Sequence, residues 1–120
     1  PLSQRAVDGA TRLFGKDHQL TFKSRDTLAA ALNGTGQHDQ AEQQFRNIIA
    51  DETRVFGADD FLTLESDMNL ATCLRDENKL DEAIRFAQSA TDGASSRFGP
   101  DDPQTRRYRA QLNALNSPPR

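Results

Sequence analysis

The stretch "FGADDFLT", residues 56–63, occurs in related form at two other places in this chain. Residues 14–21 are "FGKDHQLT" and residues 98–105 are "FGPDDPQT", so the phrase recurs every 42 residues. A fixed period of this length is typical of proteins built from repeated pairs of helices. The phrase therefore divides the chain of 120 residues into structural units and fixes where each unit begins.

The similarity between units extends beyond the phrase. When residues 14–55 are aligned with residues 56–97, eleven positions are identical, whereas average composition predicts about three. The identical pairs are Phe14/Phe56, Gly15/Gly57, Asp17/Asp59, Leu20/Leu62, Thr21/Thr63, Ser24/Ser66, Leu28/Leu70, Ala29/Ala71, Leu32/Leu74, Asp39/Asp81 and Ala41/Ala83. We predict a single repeat domain over residues 1–116, with a partial unit at 1–13, repeats at 14–55 and 56–97, a half-repeat at 98–116, and a disordered tail at 117–120.

Apolar residues within each unit have the spacing of two amphipathic helices separated by a polar turn. We predict helices at about 2–14, 18–34, 39–56, 60–76, 81–98 and 103–115. The apolar faces are Leu2, Ala6, Ala10 and Leu13 in the first helix, Ala41, Phe45, Ile48 and Ile49 in the third, Leu64, Met68, Leu70, Ala71 and Leu74 in the fourth, Ala83, Ile84, Ala87 and Ala90 in the fifth, and Leu112 and Leu115 in the sixth. The predicted fold is all-α, an α-solenoid of antiparallel helix pairs with about six helices.

The repeated phrase has the composition of a link between helices. Gly15, Gly57 and Gly99 are predicted to end helices in the left-handed conformation, and the phenylalanine before each glycine is predicted to pack into the core. Four aspartates are predicted to begin helices by capping backbone N–H groups, and Asp39 with Glu42 fits a capping box. They are Asp39, Asp60, Asp81 and Asp102, while His18 occupies the equivalent cap position in the first repeat.

A ligand loop is the alternative interpretation of the phrase. A phosphate-binding loop needs clustered glycines and a Lys-Ser/Thr pair, and a calcium loop needs at least five oxygen ligands at a defined spacing. Neither pattern is present around Asp59–Asp60 or Asp101–Asp102. Helix capping explains these residues more simply, so we predict no metal and no cofactor.

Composition and charge narrow the class of function. The net charge is −3, which gives no general attraction for nucleic acid or an anionic membrane, and no apolar run approaches the roughly 18 residues that span a bilayer. Cys73 is the only cysteine, so no disulfide forms within the chain, and we expect a cytoplasmic protein. Because neither His18, His38 nor Cys73 has a nucleophile or base beside it, we predict that the protein is not an enzyme.

The helix pairs resemble tetratricopeptide repeats. That family places a large apolar residue before a small one on the first helix, another apolar residue one turn later, and alanine on the second helix. The matching positions are Leu28-Ala29, Leu32 and Ala41 in one repeat and Leu70-Ala71, Leu74 and Ala83 in the next. The period of 42 residues and the phrase "FGPDDPQT" are similar to the kinesin-light-chain type. The departures are Arg25 and Asp67 at bulky positions, Ala87 at an aromatic position, and Asn113 at a small position, which indicates a capping half-repeat.

The resemblance implies a scaffold that binds a partner peptide or protein across the concave face of its first helices. We expect it to be the C-terminal part of a longer array within an adaptor or signalling protein; the alternative is self-assembly into a homo-oligomer. Family register places Lys23, Asp26, Ala30, Asn33, Glu65, Met68, Asn69, Thr72, Arg75, Arg107, Ala110, Gln111 and Ala114 on that face. Asn69 matches an asparagine that clamps a peptide backbone, Arg75 and Arg107 are candidates for a partner carboxylate, and Met68 offers an adaptable apolar contact.

Overall fold

Six helices account for nearly all of residues 2–117, the part of the chain that the computed structural model describes. They are α1 (Leu2–Phe14), α2 (Gln19–Gly34), α3 (His38–Phe56), α4 (Phe61–Asp76), α5 (Leu80–Phe98) and α6 (Pro103–Asn116). Each bound lies within a residue of its prediction, so the all-α solenoid is confirmed. The predicted tail beyond Ser117 and the side chain of Leu2 lie outside the described part.

The helices pack in chain order, each against the next, in a body of 43 × 32 × 20 Å. First helices of successive units, α2 and α4, also touch each other directly. A solenoid in which the first helices are drawn together in this way is curved, with the first helices lining its inner face.

The core is one contiguous cluster that runs through both repeats into α6. The predicted apolar faces of α3, α4, α5 and α6 are buried or half-buried in it. Buried members are Ala41, Phe45, Ile48, Leu64, Met68, Leu70, Ala71, Leu74, Ala83, Ala87, Ala90, Leu112 and Leu115. Arg25, which replaces a bulky residue, is held by a 3.0 Å ion pair with Asp51 and lies over the Phe22 ring.

The predicted caps are confirmed for the first helices and wrong for the second helices. His18, Asp60 and Asp102 each accept a hydrogen bond from the backbone N–H two residues later. Asp39 and Asp81 instead lie within the first turn, after Gln37 and Lys79, whose side chains make no cap hydrogen bond. Each of these helices begins one residue earlier than predicted, so the aspartates lie inside the first turn and no capping box forms. These acids stabilise the helix N-terminus through charge alone.

The link glycines adopt a different conformation from the predicted left-handed cap. Gly57 has φ 97° and ψ 158°, and Gly99 has φ 99° and ψ 154°. This region of backbone conformation is open essentially to glycine alone. Each glycine donates its N–H to the carbonyl four residues earlier, at Thr53 and Ser95, so it closes the last turn and then redirects the chain as an extended residue.

Of the three phenylalanines in the repeated phrase, only one packs into the core as predicted. Phe56 packs against the core, with its ring edge-on to Phe22 at 5.5 Å. Phe14 and Phe98 are 48% and 36% exposed, so their predicted burial is wrong. Phe56 is covered because it lies between the two complete units, whereas Phe14 and Phe98 each have a complete unit on one side only.

The threonine that closes the phrase has a role that sequence analysis missed. The Thr21 hydroxyl donates to the Gly15 carbonyl at 2.6 Å, and the Thr63 hydroxyl donates to the Gly57 carbonyl at 2.8 Å. Each bond ties the first turn of a helix to the glycine that precedes it. Thr105, at the same position of the half-repeat, is fully buried, but its hydroxyl has no partner among the described residues.

Removing the two hydroxyl groups should therefore have unequal effects. We expect Thr63→Val to lower the free energy of unfolding by about 1 kcal/mol, because the Gly57 carbonyl loses its donor. Thr105→Val is the matched control, and it should leave stability unchanged or raise it, because the removed hydroxyl makes no bond. Urea unfolding followed by circular dichroism measures both, and equal losses would contradict the assigned roles.

The two ends of the stack differ in surface chemistry. On α1, Ala6 is exposed and Leu13 is 76% exposed, so the predicted apolar face there lacks a neighbour. The outer face of α6 is polar. It presents Arg106, Arg109, Asn113 and Asn116, all exposed, where α4 has Leu64, Asp67, Ala71 and Leu74. This polar face is what a terminal cap needs.

A buried carboxyl group lies where the first repeat meets the second. None of the Glu52 side chain is exposed, and neither of its oxygens has a hydrogen-bond partner among the described residues. Burial raises the pKa of Glu52 to about 8, and the nearby acids Asp26 and Asp67 reinforce the shift against Ser66 and Arg25. Burial therefore favours the uncharged form of Glu52 in the folded protein.

The free energy of unfolding should accordingly decrease as the pH rises. In the unfolded chain Glu52 ionises near pH 4.5, whereas in the folded protein it does so near pH 8, so stability is lost progressively across that window. We expect Glu52→Gln to raise the free energy of unfolding by about 2 kcal/mol at pH 7 and to change it little at pH 4.

Thermal unfolding of both proteins at several pH values measures this difference. The control is Asp92→Asn, which removes an exposed carboxylate of α5 and should leave the pH dependence unaltered. A Glu52→Gln variant with the pH dependence of the parent protein would show that the buried carboxyl does not control stability.

Candidate binding groove

A groove of about 510 Å³ lies on the inner face between α4 and α6. Its lining residues are Met68, Ala71, Thr72, Arg75, Gln111, Ala114, Leu115 and Ser117. The floor is apolar and formed by core residues, since Met68 is 3% exposed and Ala71 is 1% exposed. The polar side chains stand at the rim. This arrangement suits an apolar group held by a few polar contacts.

The groove contains much of the predicted concave face. Met68, Thr72, Arg75 and Gln111 all line it, together with Ala114. Met68, Thr72 and Arg75 are spaced four and three residues apart, which places them on one face of α4. Because α5 packs antiparallel to α4, the chain returns and α6 lies beside that face. Their role in binding stays a prediction.

The Arg75 side chain already forms an ion pair with another residue of this chain. Its guanidinium lies 3.1 Å from the Asp76 carboxylate, whose second oxygen accepts a 2.8 Å hydrogen bond from the Asn33 side chain. The side-chain amide oxygen of Asn33 lies 2.5 Å from Nδ1 of the His38 ring. The network links the ends of α2 and α4 across two repeats, so Asn33, predicted to meet a partner, here bonds its neighbouring repeat.

Arg107 is also paired with an acidic residue of this chain. It forms an ion pair with Glu65, which lies at the same register position of the preceding unit, 42 residues earlier. The guanidinium also lies over the ring of Tyr108, 5.4 Å from its centroid. Two residues predicted to face a partner thus neutralise each other on the inner face.

Asp26 bonds to the next repeat. The Ser66 hydroxyl donates to the Asp26 carboxylate at 2.9 and 3.1 Å. Burial raises the pKa of Asp26 to about 6, although the Ser66 hydrogen bond opposes the shift. Asp26 is therefore part of the joint between repeats and carries less than a full charge near neutral pH.

Other inner-face predictions fall outside the groove. Lys23 and Ala30 are exposed on α2, Asn69 is half-buried on α4, and Ala110 is exposed on α6. Three lining residues, Ala71, Leu115 and Ser117, were not predicted for this face. Ala71 and Leu115 were assigned to the core and Ser117 to the tail, and the equal register of adjacent units is the signal that shows which side chains meet.

The other cavities are more open or more charged. One of about 500 Å³ lies at the turn before α3 and includes Glu77 and Lys79. Lys79 forms ion pairs with both Glu77 and Glu42. Another of about 620 Å³ lies on the outer side of α5. Within residues 2–117 no three His, Cys, Asp or Glu side chains are grouped to hold a metal ion, and no described helix is long and apolar enough to cross a membrane.

Cys73 behaves as a packing residue in this fold. Its side chain is fully buried in α4, and burial raises the pKa of its thiol to about 11. A thiol in such an environment is a weak nucleophile because it is rarely ionised. His18 caps α2 and stacks on Phe14 at 4.8 Å, consistent with the local role predicted for it.

Comparison with known proteins identifies the type of repeat. Residues 21–61 match the family described as tetratricopeptide repeat. A crystal structure of nearly identical tetratricopeptide-like repeats, from a Podosopora anserina protein described as a kinesin light chain, superposes with a TM-score of 0.82 at 17% sequence identity. The match covers 95% of this chain and 54% of that chain. No curated protein matches the sequence.

Residues 21–61 therefore match the tetratricopeptide repeat family, and the chain has the same fold as the kinesin-light-chain-like repeats on which it superposes. The family match lies on the first repeat and the start of the second, while the structural similarity extends the same fold over the remainder. Tetratricopeptide repeats generally mediate protein–protein interaction or scaffolding.

Proposed function

We propose that this chain binds a partner peptide or protein on its inner face, with the groove between α4 and α6 as the contact. The observation that carries the proposal is the groove's apolar floor of Met68, Ala71 and Leu115, open between two helices of a rigid stack. Rigid elements hold such a site with little loss of entropy on binding. By the family resemblance, the chain serves within a larger adaptor or signalling protein.

Filling the groove should weaken binding. Ala114 is exposed on α6 and lines the groove, so the indole of Ala114→Trp would occupy the space of a partner side chain. We expect it to weaken binding at least about tenfold. Peptides selected from a phage-displayed random dodecapeptide library serve as ligands, and fluorescence polarisation measures their affinity.

The matched control is Asn113→Trp, which adds the same side chain to the next position of α6, outside the groove. It should bind like the parent protein. If selection yields no peptide, or if both tryptophan variants bind equally well, the inner-face proposal is wrong.

Self-assembly is the second candidate, and the surface of α1 favours it. Leu13 and Phe14 form an exposed apolar patch with Leu20, which is 40% exposed. The polar outer face of α6 offers no complement to this patch, so we infer that two copies would join α1 to α1 in a closed pair.

For this second candidate we expect light scattering to show a mass that rises with concentration and returns to that of a monomer in Leu13→Asp. The control Asn113→Asp places the same charge at the opposite end and should leave association unchanged. A parent protein that is monomeric at every concentration would remove this candidate.

A further inference from the structure

We propose that the groove between α4 and α6 selects an uncharged, extended segment that inserts one apolar side chain, and that it does not select an acidic segment. The inference rests on the proposed function and specifies its partner. It follows from what the two arginines of the inner face already contact.

Neither arginine is available without a rearrangement. Arg107 is paired with Glu65, and Arg75 with Asp76. An incoming carboxylate would have to displace a carboxylate of the chain, and it would leave that displaced acid without its partner. The exchange gains little net electrostatic free energy, since each pair breaks as another forms.

The Arg75 pair is held more firmly than an isolated surface pair. Asp76 also accepts the 2.8 Å hydrogen bond from Asn33, and Asn33 is itself fixed by His38. Withdrawing Asp76 from Arg75 would therefore disturb a contact between two repeats. The negative charge of Asp76 offsets that of Arg75, which lines the groove, and this further disfavours an acidic partner.

The remaining surface of the groove is neutral. Its floor of Met68, Ala71 and Leu115 offers only apolar contact, and the flexible thioether of Met68 adapts to side chains of different shape. A volume of about 510 Å³ accommodates a large aliphatic or aromatic side chain.

The rim supplies polar groups that suit a peptide backbone. Gln111 is exposed, and its amide both donates and accepts hydrogen bonds. The Thr72 hydroxyl already donates to the Met68 carbonyl at 3.3 Å, so it retains acceptor capacity toward the groove. Neutral donors and acceptors of this kind hold an extended backbone without requiring charge.

The test uses the peptides selected from the phage-displayed random dodecapeptide library. We expect the enriched sequences to share one large apolar residue and to carry no excess of Asp or Glu. Replacing that apolar residue by alanine should weaken binding at least about tenfold. Raising the salt from about 0.05 to 0.5 M should change the affinity less than about threefold, because no new ion pair forms.

Protein variants separate this inference from the proposed function. Ala114→Asp puts a charge at the groove and should weaken binding as strongly as Ala114→Trp does, whereas Asn113→Asp should not. Enriched peptides that are acidic, lose affinity steeply with salt and still fail to bind Ala114→Trp would overturn the inference and leave the groove as the binding site. Peptides that bind Ala114→Trp normally would overturn both.

Discussion

The backbone of the glycine that ends each second helix is the constraint on which the stack depends. At Gly57 and Gly99 the chain has positive φ with extended ψ, a combination that side-chain-bearing residues avoid. The same geometry at both links gives successive units the same orientation. Asp60 and Asp102 then cap the next helix. Because orientation repeats, residues 42 apart occupy equivalent places, and the inner face becomes a continuous surface.

The two joints between units use those equivalent places differently. At the first joint, the inner positions are Asp26 on α2 and Glu52 on α3, both largely removed from water. One unit later the same positions are Met68 and Ala94, which are 3% and 0% exposed. The first joint thus contains acids whose ionisation opposes folding, whereas the second is apolar at these two positions. Met68, which takes the place of Asp26 at the second joint, also forms part of the floor of the groove.

The sequence was sufficient for the helices and for the face on which the groove lies. Helical spacing and the 42-residue register determine both, since each depends on local periodicity. Prediction from the sequence failed for features that depend on packing between neighbouring units. Burial of Phe14 and Phe98 requires a complete unit on each side, and the starts of α3 and α5 follow how tightly the turn closes. These are properties of packing, which a pattern within one unit does not contain.

Ion pairing on the inner face is a further example. Glu65 and Arg107 stand 42 residues apart, so the register predicts that they are neighbours, yet each was assigned separately to a partner. No contact was predicted for Asp76, the last residue of α4, although its carboxylate accepts a hydrogen bond from Asn33 on α2. Side-chain contacts between repeats depend on rotamers and on the curvature of the stack, and neither is encoded in a spacing.

Internal pairing of the two arginines changes what the groove can discriminate. An unpaired arginine attracts any acidic segment from a distance and raises its rate of association. With Arg75 held by Asp76 and Arg107 by Glu65, that long-range attraction is largely cancelled. Discrimination must then come from contact, through the fit of an apolar side chain over Met68 and Ala71 and the hydrogen bonds of the rim. Differences in affinity between partners should accordingly lie in how fast they leave, because short-range contacts act after encounter.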